Sequence, residues 1–237
     1  MHHIIDRHFY LDTAPSSLRK PENTRVLAGA ILIAALSLCC SELALAEDSH
    51  GHHAPASSGH DTAHAGFSYN YAELRYIDMT VDDHGSDLDG DGLEFEASVG
   101  LGERFQAYAL YEKIGFDHEI GLSEWAVGFG THLSIAPGLD IVADLGYISE
   151  EVTEPGHADH ADDGYLFGLG LRKKIGEQGE IQVAVNFADF KEAGSVTSYE
   201  LVGEMHVLPN LAIGVGINAG AEATAYFAEA RFYFGSH

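Results

Sequence analysis

Leu93-Glu94-Phe95-Glu96-Ala97-Ser98-Val99-Gly100-Leu101 changes character at every second residue. An extended strand sends successive side chains to opposite faces, so one face here is wholly apolar and the other carries carboxylate, hydroxyl and glycine. The same alternation recurs three times with equal clarity. Tyr165, Phe167, Leu169 and Leu171 alternate with Leu166, Gly168, Gly170 and Arg172. Tyr199, Leu201, Gly203, Met205 and Val207 alternate with Ser198, Glu200, Val202, Glu204 and His206. Leu211, Ile213, Val215 and Ile217 alternate with Ala212, Gly214, Gly216 and Asn218. Working outward from these, ten runs are predicted as strands: 67–79, 92–101, 104–116, 122–134, 139–150, 165–175, 180–190, 196–207, 211–219 and 223–234. None of the intervening sequence has a helical period.

Which face meets water decides the fold. A soluble sandwich would bury the apolar face and show the other to solvent, where Thr, Lys and other good strand formers are the usual residues. Here the polar face is rich in glycine and isolated charges, which suit the crowded inside of a closed barrel. The apolar face then meets lipid. In a bilayer every backbone N–H and C=O needs a partner within the protein, and closure provides one by removing the free edges. The sequence therefore predicts an all-β fold, a closed up-and-down antiparallel transmembrane β-barrel of ten strands, with eight or twelve the nearest alternatives. A soluble periplasmic β-protein is the structural rival. Long acidic connectors at 80–91, 117–121 and 153–164 alternate with tight turns at 102–103, 136–138, 176–179 and 209–210, although 192–195 and 220–223 on the long side are themselves short. An even strand number puts both chain ends on one side, with the short turns.

The first 46 residues are read as a signal peptide. Arg19, Lys20 and Arg25 precede an apolar run from Val26 to Leu38, 13 residues long, where a membrane-spanning helix needs about 20. Ala44-Leu45-Ala46 follows as a cleavage pattern, so cleavage is expected after Ala46. An uncleaved anchor is opposed by Glu42, and lipidation at Cys39 by the bulky Leu38 before it. Residues 47–66 are small, polar and His-rich, and are read as a flexible periplasmic arm; residues 67–237 are the outer-membrane barrel. The leader holds both cysteines of the chain. The remainder thus has no thiol to cross-link in an oxidising compartment.

The whole chain, 237 residues, has 12 Lys+Arg against 37 Asp+Glu, a net charge of −25. That balance excludes a nucleic-acid binder, which needs a basic surface to displace counterions from phosphate. Apolar residues at 46% exclude wholesale disorder.

The last run, Thr224-Ala225-Tyr226-Phe227-Ala228-Glu229-Ala230-Arg231-Phe232-Tyr233-Phe234, resembles the closing strand of bacterial outer-membrane barrels, which end in Phe with apolar residues at every second position upstream. Tyr226, Phe232 and Phe234 fit that pattern, and the resemblance implies that they form the signal read by the barrel-assembly machinery. Three residues follow Phe234, a departure from the pattern. Phe67-Ser68-Tyr69-Asn70-Tyr71 and the Gly-x-Gly-x stretches at 168–171 and 214–217 also resemble the small OmpA-like and OmpX-like barrel domains. The resemblance spans about 170 residues and implies an architecture and an outer-membrane location rather than a chemistry.

Histidine is the main oddity of composition. His50, His52, His53, His60 and His64 crowd the arm, and His157 and His160 sit among Asp159, Asp162 and Asp163 in a predicted outer loop. Imidazole beside carboxylate is a ligand set for zinc, copper or nickel, and labile capture of such ions is one expected function. The alternative for both segments is a solvated polar surface. Asp87, Asp89 and Asp91 begin like a calcium loop, but the twelfth position is Ser98 where an EF-hand requires Glu, so only a looser calcium site is considered. The predicted lumen charges are Glu73, Glu94, Glu96, Glu112, Glu124, Asp140, Asp144, Glu200, Glu204 and Glu229 against Arg75, Arg172, Lys174 and Arg231, with His132 and His206. They allow either a narrow cation-preferring pore or an interior plugged by salt bridges, and the plug is preferred. Asp117, His118, His157 and Asp159 fall near the outer rim without a catalytic spacing, and no catalytic motif is present; no catalytic residue is assigned and no enzyme is expected. The expected role is structural or surface-contact, with membrane lipid, the assembly machinery and divalent cations as partners.

Overall fold

The structure, a computed structural model, describes residues 66–83 and 86–235. The leader and the arm with its five histidines lie outside the described residues. Ten strands follow in order: β1 (Tyr71–Asp83), β2 (Ser86–Leu101), β3 (Phe105–Phe116), β4 (Gly121–Ala136), β5 (Leu139–Thr153), β6 (His160–Ile175), β7 (Gly179–Phe190), β8 (Gly194–Leu208), β9 (Leu211–Ala219) and β10 (Ala223–Tyr233). Each strand pairs antiparallel with the next, and β10 returns to β1, so the barrel is closed. At that seam Tyr71 lies opposite Tyr233, and Phe234 N–H donates to the Asn70 carbonyl, 3.1 Å away. Both ends of the barrel wall thus share one rim, the terminal rim. The turns at 102–104, 137–138, 176–178 and 209–210 lie on the same rim.

Outward side chains form a broad apolar surface. Phe129, Val215, Tyr165 and Leu145 are 68%, 67%, 66% and 62% exposed. Toward the far rim an aromatic girdle runs over neighbouring strands. Tyr111 is paired with Trp125, Tyr147 with Tyr165, and the Trp125 and Tyr147 rings stand 5.5 Å apart. Such girdles mark the edge of the hydrocarbon band in membrane barrels.

The strand expected from 67 begins only at Tyr71, because residues 67–70 leave the sheet to cross the mouth, and two larger features also depart from the sequence expectation. The acidic stretch 80–91 is strand almost throughout: β1 continues to Asp83 and β2 begins at Ser86. β6 begins at His160, which shortens the connector expected over 153–164 to 154–159. Antiparallel pairing simply continues past the aromatic girdle, with the outward residues turning acidic. Second, the inner wall is not polar throughout. Ile77, Met79, Val81, Leu88, Ile114, Phe116 and Leu122 belong to one buried apolar cluster inside the far half of the barrel. The alternation keeps its period there, but the chemistry of the two faces is exchanged.

Inward glycines serve as seats for rings. Tyr108 lies over Gly128 and Gly146, and Phe227 over Gly216, so a methyl group at any of the three would collide with the ring or a neighbouring backbone. This explains the glycine on the polar face better than strand propensity does.

Candidate functional site

Inside the half next to the terminal rim, two arginines gather most of the carboxylates. Arg75 (β1) lies 2.7 Å from Glu73, 2.9 Å from Glu229, 3.3 Å from Glu94 and 3.4 Å from Glu200. Arg231 (β10) donates to Glu73 and, at 3.0 Å, to Glu204. Each guanidinium also covers an aromatic ring: Arg75 lies 4.5 Å from the Phe227 centroid and Arg231 4.5 Å from that of Tyr71. Planar, multiply donating guanidinium suits this sharing in a way ammonium would not. Glu73, Glu204 and Glu229 approach within 4.8 Å of one another, close enough to hold a metal ion, but the two arginines already bridge them.

A second arrangement runs around the opposite wall. Glu94 pairs in register with Glu112, Glu112 with Glu124, Glu124 with Glu150, and Glu150 with Asp162, so five consecutive strands each turn a carboxylate inward at neighbouring positions. Ile114, Leu122 and Val152 lie on the far-rim side of this row, and Leu110, Ala126 and Ile148 on the other. Asp162 is satisfied by the turn after β7, accepting from the backbone N–H of Glu192 and of Ala193.

The terminal mouth is crossed by the chain itself. Residues 66–70 pass from β1 to the far wall as a strap. The Tyr69 ring stacks on His132 of β4 at 3.8 Å, and its hydroxyl donates to Asp140 of β5 at 2.8 Å. Arg172 of β6 covers the rings of both Phe67 and Tyr69, and the Lys174 ammonium donates to the Gly66 carbonyl at 3.0 Å. Between strap and arginine cluster remains a polar cavity of about 130 Å³, lined by residues that include Glu96, Gln106, Tyr108, Asp144 and Asn186.

Every lumen charge named from the sequence occupies an inward register position: Glu73, Arg75, Glu94, Glu96, Glu112, Glu124, Asp140, Asp144, Arg172, Lys174, Glu200, Glu204, Glu229 and Arg231. Three acids were missed. Glu150, Asp162 and Glu180 are inward and buried, and Glu180 accepts from Arg172 Nε at 2.6 Å. The position of Glu150 directly opposite Glu124 is the signal that would have found it. Tyr226, Phe232 and Phe234 point outward. Asp87, Asp89 and Asp91 lie along the outward face of β2 opposite Asp82, Thr80 and Asp78, with Thr80 donating to Asp89 at 2.9 Å. A strand spaces same-face residues by roughly 7 Å, so the three stand in a row rather than around one point. His157 and His160 turn to different partners, Glu154 at 3.3 Å and Glu192 at 3.5 Å. His50, His52, His53, His60 and His64 lie outside the described residues.

No family model matches the chain, and no curated protein does. Among solved structures it is similar to an outer membrane channel from Pseudomonas putida F1, with TM-score 0.44, 7% identity, and coverage of 75% of this chain and all of that one. It is similar to the NanC porin, with TM-score 0.43, 6% identity, and coverage of 69% and 100%. It is also similar to Neisserial surface protein A, with TM-score 0.40, 11% identity, and coverage of 70% and 98%.

Proposed function

We propose that the chain is a non-enzymatic integral protein of the bacterial outer membrane, with a barrel closed to ion flow and acidic hairpins presented to the outside. The observation that carries the membrane reading is the apolar outward face of the strands, bounded by the Tyr111–Trp125–Tyr147–Tyr165 girdle. The terminal rim then faces the periplasm and the far rim faces outward. The closed reading is supported by three successive fillings of the lumen: the strap on His132 and Arg172, the arginine cluster, and the far-half apolar cluster. Beyond the girdle, Asp78, Asp87, Asp89 and Asp91 are exposed and give the outer hairpin a strongly anionic side suited to contact with cations or cationic partners. Bilayer recordings test the closed barrel: the account expects no stable open level, whereas a steady cation-selective conductance supports the pore instead. Carbonate washing of membranes tests integration, because a soluble periplasmic protein is released by it and a barrel is retained.

The arm carries a separate proposal, labile capture of zinc, copper or nickel by His50, His52, His53, His60 and His64, supported by five imidazoles within 15 residues. Calorimetric titration with Zn²⁺ or Ni²⁺ should give a signal that deletion of residues 47–65 abolishes; equal signals from both proteins refute it.

A further inference from the structure

The polar cavity between strap and arginine cluster has a donor set of its own. Asp144 (β5) is flanked in register by Gly130 on one side and Gly168 on the other, so neither directly paired residue puts a side chain beside it. A methyl group placed on Gly168 would lie 3.1 Å from Asn186 Oδ1 and 3.5 Å from Asp144 Oδ2; the two oxygens converge on the space the glycine leaves. On the other side Gln106 Nε2 donates to Asp144 Oδ1 at 3.1 Å, while Gln106 Oε1 is buried without a hydrogen-bond partner in a side chain only 5% exposed. The Tyr108 hydroxyl, also buried and unpartnered, lines the same cavity, as does the Glu96 carboxylate, which accepts from Tyr71 at 2.5 Å.

The bases around this cavity are committed elsewhere. Arg75 is surrounded by Glu73, Glu94, Glu200 and Glu229, Arg172 pairs with Glu180, and Arg231 pairs with Glu73 and Glu204. Among the described residues neither Asp144 nor Glu96 forms an ion pair. Two carboxylates, two amide side chains and a phenol oxygen thus line one space together with Arg75, Arg172 and Arg231, and the Gln106 and Tyr108 oxygens there lack a hydrogen-bond partner. Leaving such groups buried without a partner is costly.

We infer that this cavity is a binding site for a hard divalent cation, calcium by its ligand set, held by Asp144, Asn186 and Gln106, with Glu96 and Tyr108 on its other side. Calcium accepts carboxylate, amide carbonyl and water oxygens in flexible numbers, and about 130 Å³ leaves room for the ion and part of its hydration. The site is separate from the outward row Asp87, Asp89 and Asp91 and from the histidine arm.

The test uses the full mature chain refolded in detergent, stripped with chelator and titrated calorimetrically with CaCl2. Tb³⁺ luminescence excited through tyrosine gives a second readout that reports an ion beside Tyr108. Two variants probe the site, D144N, which keeps the shape, and N186A, which removes a neutral donor. A third, D87N/D89N/D91N, removes the surface row. Slower migration after heating on a gel confirms that each is folded. The expected result is one saturable calcium site that survives in the surface variant and is weakened roughly tenfold or more in D144N, with loss of the terbium signal. N186A shows a smaller loss in the same direction. Absence of saturable binding, wild-type affinity in both D144N and N186A, or loss of binding in the surface variant overturns the assignment.

Discussion

Glu73 on the first strand and Arg231 on the last stand directly opposite each other across the seam that closes the barrel, and the guanidinium donates to the carboxylate. Two residues along, on the same inward face, Arg75 opposes Glu229 with the charges reversed. A slip of one residue at the seam would turn every inward charge outward, so these two pairs specify the closing register as well as stabilise it.

Substituting Arg231 by Met leaves Glu73 and Glu204 buried with a partner removed. The expected cost is about 3–5 kcal/mol. Urea titration in detergent micelles or lipid vesicles, followed by gel mobility, measures it; an unchanged midpoint contradicts the role given to the pair.

The strap is expected to guard the cavity. Residues 47–237 contain no cysteine, so in that segment a single cysteine at Ala184, an inward position lining the cavity, is a clean reporter. Its reaction with a water-soluble maleimide should be slow in the parent and clearly faster when Phe67 and Tyr69 are both replaced by Ala. Equal rates place the barrier elsewhere.

Glycine seats should be intolerant in a position-dependent way. Gly216→Val drives a branched side chain into the Phe227 ring and is expected to cost about 1–3 kcal/mol, while Gly115→Val, with open space around it, is expected to be near neutral. The comparison is read by denaturant midpoint, and similar losses at both sites would remove the packing explanation.

The outward face should report its surroundings. Leu145, paired with Phe129 in the middle of the apolar surface, is expected to lose about 2–4 kcal/mol on replacement by Arg, whereas Asp89→Arg, beyond the girdle, is expected to be tolerated. Vesicle refolding yields and unfolding midpoints distinguish the two; tolerance at both positions argues for water on both.

The period of the pattern was legible from sequence, and with it all ten strands and the inward side of the lumen charges other than Glu150, Asp162 and Glu180. What the pattern could not show is where the environment outside the wall changes. Ile77, Met79 and Val81 share the inward face with Glu73 and Arg75, and their partners across β2 pass from Glu96 and Glu94 to Gly92, Gly90 and Leu88. Once outward residues meet water instead of lipid, polar side chains belong outside and apolar ones within, so 80–91 reads as a loop although it is strand. Asp162 was misplaced for the same reason: it reads as part of an exposed acidic segment, yet the strand turns it inward to cap the turn at Glu192 and Ala193. Residues 67–70 continue the alternation of β1 in sequence but leave the sheet, because Tyr69 finds His132 and Asp140 across the mouth. Contacts of that range, formed between residues 63 and 71 apart, leave no local trace.

The chain has one tryptophan, Trp125, which points outward at 44% exposure within the aromatic girdle. Fluorescence of the protein refolded into vesicles, compared with vesicles of brominated phospholipid, reads directly whether that face meets acyl chains. Strong quenching by the brominated lipid and a blue-shifted emission are expected; emission unchanged by bromine, from a folded protein that stays in the aqueous phase, would contradict a lipid-facing Trp125.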